Sequence, residues 1–330
     1  IRTGVHILSI LAMKKFLRKL LLFVSVFIAG LIYLFSKEND KAFAYHYIEG
    51  DCYNHGAWIY DRIFNNPQRI DVAFIGSSGT IHSVNEKVVE DNLEGAAKDL
   101  KICNLGYCRL GTNLYYVLVK DLLKQKKIKY LFLEVRANED YYSHPMFPYL
   151  ADTKDLLCPQ LLYNRDIISD YYDALTERIV FEKQKLFPEL STYGYNPELY
   201  GYGSSSQVAD SNMLEIAKQR KASSAKKKES SGSREFHLRY PLAYLDKVIE
   251  LAKAHEIKII FYYVENYGTV YAEPQVQDYY KAHGELWIAP REIGNNKSNW
   301  MDENHLNDNG AREYSEWLAK KISRMESLAK

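Results

Sequence analysis

Short apolar runs recur along the chain at Val72–Ile75, Ile102–Leu105, Ile128–Val135 and Ile257–Val264, with a weaker one at Leu286–Ala289. The first does not alternate, which marks a strand buried on both faces. Helical patterns lie between the runs. Leu114, Val117, Leu118 and Leu122 share one face, as do Leu245, Val248, Ile249 and Ala252. Near the end Ala311, Tyr314, Leu318 and Ile322 form a stripe, with Asn307 placed to cap that helix. Strands alternating with helices predict a mostly parallel sheet covered on both faces, a three-layer α/β/α arrangement of the flavodoxin-like kind.

Two segments depart from this rhythm. Leu20 to Phe35 carry no charge, and Phe16, Leu17 and the snorkelling Arg18 and Lys19 extend the run to the thickness of a bilayer. Lys14, Lys15, Arg18 and Lys19 precede it, whereas Lys37, Glu38, Asp40 and Lys41 after it balance. This asymmetry predicts a single-pass anchor over residues 1–36 with its N-terminus in the cytoplasm, and an extracytoplasmic domain over 37–330 at the cell membrane. Residues 1–12 precede Met13, a natural start. Ala42-Phe43-Ala44 imitates a signal-peptide cleavage site, but the charged KENDK before it favours a retained anchor. The second departure is an insertion at about 141–239. Residues 161–187 read as helix, STYGYNPELYGYGSSS as loop, and KQRKASSAKKKESSGSRE, with almost no apolar content, as a solvated, mobile stretch.

A net charge of +1 argues against a nucleic-acid partner. The 28 tyrosines are compatible with contact to carbohydrate. Cys52, Cys103, Cys108 and Cys158 follow no zinc spacing and read as structural, with no pairing assigned. The histidines outside the C-terminal motif are scattered without ligand spacing, so neither a metal nor another cofactor is expected. His82 is expected to point along its own helix.

The first strand runs into Gly76-Ser77-Ser78-Gly79. Glycine and serine are common in strand-to-helix loops for conformational reasons alone. A catalytic reading needs a histidine and an acid elsewhere, and WMDENHLNDNG supplies Asp302 and His305 three positions apart, ahead of the last helix. That spacing lets the carboxylate orient the imidazole. Ser78 follows the first strand and the Asp302-His305 pair follows the last, so all three can reach the edge where open α/β sheets assemble their sites. Candidate oxyanion donors are the Ser78 amide, Asn138 just past the third strand, and Gly106 or Gly111 after the second.

On these motifs the chain resembles the SGNH (GDSL-like) hydrolase superfamily over residues 71–139 and 241–325. The family's Gly-Asp-Ser block is similar to Gly76-Ser77-Ser78, which implies that Ser78 is the nucleophile. Its terminal Asp-x-x-His block is similar to Asp302 and His305, followed by HLNDNG. Of the Gly-x-Asn-Asp block only Asn138 is retained, in Arg136-Ala137-Asn138-Glu139, and the glycine block is the poorest match. The Gly-Ser-Ser variant with an N-terminal anchor looks most like membrane-tethered members acting on envelope polymers, such as alginate O-acetylation and lipoteichoic-acid D-alanylation proteins. The resemblance implies a serine esterase or O-acyltransferase that forms an acyl-Ser78 intermediate. Its partners would be a cell-envelope glycan or acylated glycolipid and a membrane O-acyltransferase. The contrasting expectation is a catalytically silent accessory protein that binds glycan or such an acyltransferase.

Overall fold

The computed structural model describes residues 2–47, 55–156, 163–187, 201–225, 231–271 and 273–328. Five strands form one sheet: β1 (Val72–Ile75), β2 (Ile102–Asn104), β3 (Tyr130–Val135), β4 (Lys258–Tyr263) and β5 (Glu285–Ile288). All pairings are parallel, in the order β2-β1-β3-β4-β5. The helices that position the site and its surroundings are labelled α1 (Arg2–Ser36), α2 (Lys41–Tyr47), α3 (Ser78–Ser83), α4 (Glu86–Asp91), α5 (Thr112–Gln125), α6 (Ile167–Leu186), α7 (Ser211–Ala225), α8 (Ser231–Ala254) and α9 (Asp308–Leu328).

The register aligns Phe74 with Phe132 and Ile75 with Leu133, so each strand sends alternate side chains to opposite faces. On one face Ala73, Ile75, Leu131, Leu133, Ile259 and Phe261 join a buried cluster with Leu114 and Leu118 of α5 and Leu245 and Val248 of α8. On the other Val72, Phe74, Phe132, Ile260 and Tyr262 meet Val89 of α4 and Tyr314, Leu318 and Ile322 of α9. There the Phe74 and Phe132 rings stack 4.4 Å apart. Apolar side chains on both faces explain why the strands read as runs without alternation. Asn307 caps α9 as its sequence predicts: its side-chain oxygen accepts from the Asn309 and Gly310 amides at 3.1 and 3.2 Å.

From β1 the chain adds β2 on one side and then β3 on the other. The carboxyl ends of β1 and its neighbours therefore flank a crevice at the reversal, the usual place for a site in open α/β sheets.

The lysine-serine stretch differs from expectation. Residues 218–225 belong to α7 and 231–235 to α8, while 226–230 lie outside the described residues. Ala, Lys, Arg and Gln are good helix formers, and α7 is tied down by non-local contacts. Leu214 and Ala217 are buried, Arg220 pairs with Glu303, and Lys221 Nζ donates to the Tyr267 and Glu303 carbonyls at 2.9 and 3.1 Å. Of STYGYNPELYGYGSSS, residues 191–200 lie outside the described residues and 201–206 are irregular, as expected.

Among the described residues one helix, Met13–Ser36 within α1, is long and apolar enough to cross a membrane. It has a mean hydropathy of 2.2 and is 0% buried. Its lower end meets α6, where Phe35 lies 6.3 Å from the Tyr171 ring and 4.8 Å from the Arg178 guanidinium. Lys37 pairs with Glu182 at 3.3 Å.

Candidate active site

β1 ends at Gly76, where a side chain is sterically excluded: a Cβ would run into Thr80 Oγ1 and the Glu134 side chain. Ser77 then caps α3, its Oγ accepting from the Gly79 amide at 3.0 Å. Ser78, half-buried, is the first residue of the helix, so its amide has no carbonyl partner within α3.

Fully buried Glu134, near the end of β3, holds this turn. Its carboxylate accepts from the Ser77 amide at 2.6 Å, the Ser77 hydroxyl at 2.7 Å and the Thr80 amide at 3.1 Å, and also from the Thr80 hydroxyl. Arg136 Nε donates to it at 2.5 Å. The same guanidinium reaches Ser77 Oγ at 3.0 Å, the Val264 carbonyl at 3.1 Å and Asn266 Oδ1. Burial alone would raise the Glu134 carboxyl; the Arg136 charge and the Thr80 and Ser77 donors outweigh it and hold the group below its ordinary range. One carboxylate thus locks the serine turn to the neighbouring strand.

Asp302 and His305 sit in a tight loop closed by an antiparallel bridge between Trp300 and Leu306. Asp302 Oδ1 accepts from the Asn304 and His305 amides at 2.7 and 2.9 Å, and Oδ2 lies 2.8 Å from His305 Nδ1. The other ring nitrogen, Nε2, is 2.8 Å from Ser78 Oγ. Partial burial pushes the Asp302 carboxyl up, but the His305 ring and the Asn304 amide more than compensate and keep it low. A carboxylate, an imidazole and a hydroxyl therefore stand in hydrogen-bonded line.

The crevice around this line has a volume of about 370 Å³. Ser77 and Ser78 come to it from β1, Arg109 and Leu110 from the loop after β2, and Arg136 and Asn138 from the end of β3. Tyr263 ends β4, Val264, Asn266 and Thr269 follow it, and Asn304 and His305 complete the wall.

Ser78, Asp302, His305 and Asn138 are thus brought together. Gly106 is not: its amide donates to Asn104 Oδ1 at 3.0 Å and it packs beneath Ile81. Gly111 sits against His144 and is also absent from the crevice lining. The loop after β2 contributes Arg109 instead, an exposed residue with φ 66° in the left-handed region. Arg109 follows Cys108, which is disulfide-bonded, and makes no ion pair among the described residues. Cys103 is a buried free thiol, and Cys52 and Cys158 lie outside the described residues.

His82 does not point away along its helix. Its ring meets His305 edge-on, 5.0 Å between centroids, and its Nδ1 donates to the Gly203 carbonyl at 2.7 Å. Burial, then the neighbouring His305, lowers its pKa, so it stands neutral beside the second imidazole. Glu134 escaped the sequence reading, which named Arg136 without a role and set His82 aside. The one available signal was a carboxylate and a guanidinium, two positions apart, closing an otherwise apolar strand.

No family model matches the chain, and no curated protein matches it significantly.

Proposed function

We propose that the protein is a serine esterase or O-acyltransferase of SGNH type that acts on a cell-envelope polysaccharide or glycolipid. The observation that carries this reading is the Ser78–His305–Asp302 line, with 2.8 Å at each step between side chains. In the reaction His305 Nε2 takes the Ser78 proton as Oγ attacks an ester carbonyl, while Asp302 holds the opposite N–H and stabilises the imidazolium. The Ser78 amide and Asn138 are the donors for the developing oxyanion. His305 returns the proton to the departing alcohol, leaving acyl-Ser78. Water or a sugar hydroxyl then attacks the acyl group as His305 takes its proton, and His305 passes that proton to Ser78 Oγ as the acyl–Ser78 bond breaks, restoring the free hydroxyl.

The two-faced helix cover and the strand order support a three-layer, flavodoxin-like assignment. Met13–Ser36 serves as a retained single-pass anchor, with the N-terminus cytoplasmic and the crevice outside. The disulfide at Cys108 fits an oxidising compartment. Arg109 brings a positive charge with no ion-pair partner among the described residues to the crevice rim, which suits an anionic envelope polymer, and the acyl donor in the transferase reading is a membrane O-acyltransferase.

The test is incubation of the full-length protein with a serine-reactive phosphonate and with a small chromogenic acyl ester. Adduct formation on Ser78 and turnover, both abolished in Ser78→Ala, are expected. A wild-type protein that neither turns over nor labels would refute the enzyme and leave the accessory role.

A further inference from the structure

α6 carries a second apolar face that is exposed among the described residues. Ile168, Tyr172, Leu175, Ile179 and Leu186 recur at helical spacing along one stripe. Four of them are exposed by 84%, 67%, 50% and 75% (Ile168, Tyr172, Ile179 and Leu186), and Phe187 beyond the helix end by 69%. Single exposed apolar side chains are ordinary on protein surfaces; a stripe running the length of a 20-residue helix is not. The body-facing side of α6 is separate, marked by buried Ala174 and Glu177.

The position of the anchor identifies the occupant. Phe35 and Lys37, at the end of α1, touch Tyr171, Arg178 and Glu182. These three residues form the flank of α6 beside the exposed stripe. The helix that leaves the protein for the bilayer therefore departs along the edge of the apolar surface. A span of Met13–Ser36 would end within a turn of this contact, which brings the Tyr171–Glu182 stretch of α6 next to the level of the lipid headgroups.

We propose that α6 is an interfacial helix that lies on the outer surface of the same bilayer, with Ile168, Tyr172, Ile179 and Leu186 inserted at the boundary between headgroups and acyl chains. The proposal rests on the reading of α1 as a spanning anchor. α6 holds four acids (Asp170, Asp173, Glu177 and Glu182) against three bases (Arg178, Lys183 and Lys185). The attachment is thus apolar insertion rather than charge attraction to anionic lipid. Tyr172 suits the headgroup level, where aromatic rings with a polar tip concentrate, and Lys183 beside the stripe can reach lipid phosphate by snorkelling. With one span and one surface helix fixed to the same body, the domain loses its freedom to swing about the anchor.

The test uses the full chain, one copy per lipid nanodisc, in phosphatidylcholine brominated on the acyl chain near the headgroup or left unbrominated. Ile168→Trp, Ile179→Trp and Leu186→Trp report the stripe, Leu22→Trp reports the anchor, and Lys320→Trp on the opposite face of the sheet is the control. Emission is read as the difference from the parent, whose own four tryptophans give a constant background. At least a roughly twofold bromine-dependent loss is expected at all three stripe positions and at Leu22→Trp, with none at Lys320→Trp. Quenching at Leu22→Trp without quenching on the stripe would overturn the proposal and leave the anchor standing. No quenching at Leu22→Trp would overturn both. Stripe quenching or burial that needs two copies per disc would assign the face to self-association and overturn the lipid contact.

Discussion

Ser77 and Ser78 are adjacent, yet their hydroxyls do different work. The Ser77 hydroxyl is buried, accepts from Gly79 N and donates to Glu134, whereas that of Ser78 faces the crevice and His305. Ser77→Ala removes a helix cap and one donor from a buried carboxylate, so it should lower stability by about 2–4 kcal/mol. Ser78→Ala should change stability by no more than about 0.5 kcal/mol while abolishing turnover. Denaturant melts of the two variants check this, and equal losses would contradict the division of roles. His144 carries a second residue-scale consequence. It is fully buried, bonds the Cys108 carbonyl through Nε2 and accepts from Met146 N at 3.0 Å, and so steadies the loop that presents Arg109. Burial lowers its pKa from 6.5 to about 4. The unfolded chain binds this proton first, so the stability contributed by neutral His144 is complete above pH 6.5 and is lost as pH falls towards 4. Relative to His144→Gln, the wild type should lose up to about 3 kcal/mol across that window. Parallel melts of both proteins from pH 7 to pH 4 provide the check, and parallel curves would show that His144 accepts its proton while folded.

At the scale of elements, what the sequence disclosed and what it hid divide by the range of the interactions. The strands were legible because burial on both faces makes Phe74, Phe132 and Phe261 part of local apolar runs. Asp302 and His305 were legible because their spacing is itself the geometry. Glu134 was not, since its meaning lies in Ser77 and Thr80, more than fifty positions away. Residues 218–225, the second half of α7, were misread for the same reason: their own composition offers no core face, and what holds them are Glu303 and the Tyr267 carbonyl, on other elements. α7 therefore acts as a brace on the loop bearing the acid and the histidine. Lys221→Met removes two charge-assisted bonds and should cost about 1–3 kcal/mol locally. Amide exchange over residues 301–306 should quicken and phosphonate labelling of Ser78 should slow about tenfold if the histidine's aim depends on that brace. Unchanged exchange in the loop would reduce α7 to a passive neighbour.

Across the whole molecule, the hydroxyl and the imidazole that meet at 2.8 Å are 227 positions apart. The serine turn is held by β3, which is made early, but its base arrives on a loop that exists only once β4, β5 and the start of α9 are in place. A chain made from its N-terminus therefore presents Ser78 first as an ordinary alcohol, with no proton acceptor beside it. Ser78 gains its imidazole partner only when the loop of Asp302 and His305, close to the end of the polypeptide, folds back across the sheet. On the proposed mechanism the order of synthesis acts as a delay: reactivity follows completion of the fold, and an interrupted chain lacks the base that Ser78 needs.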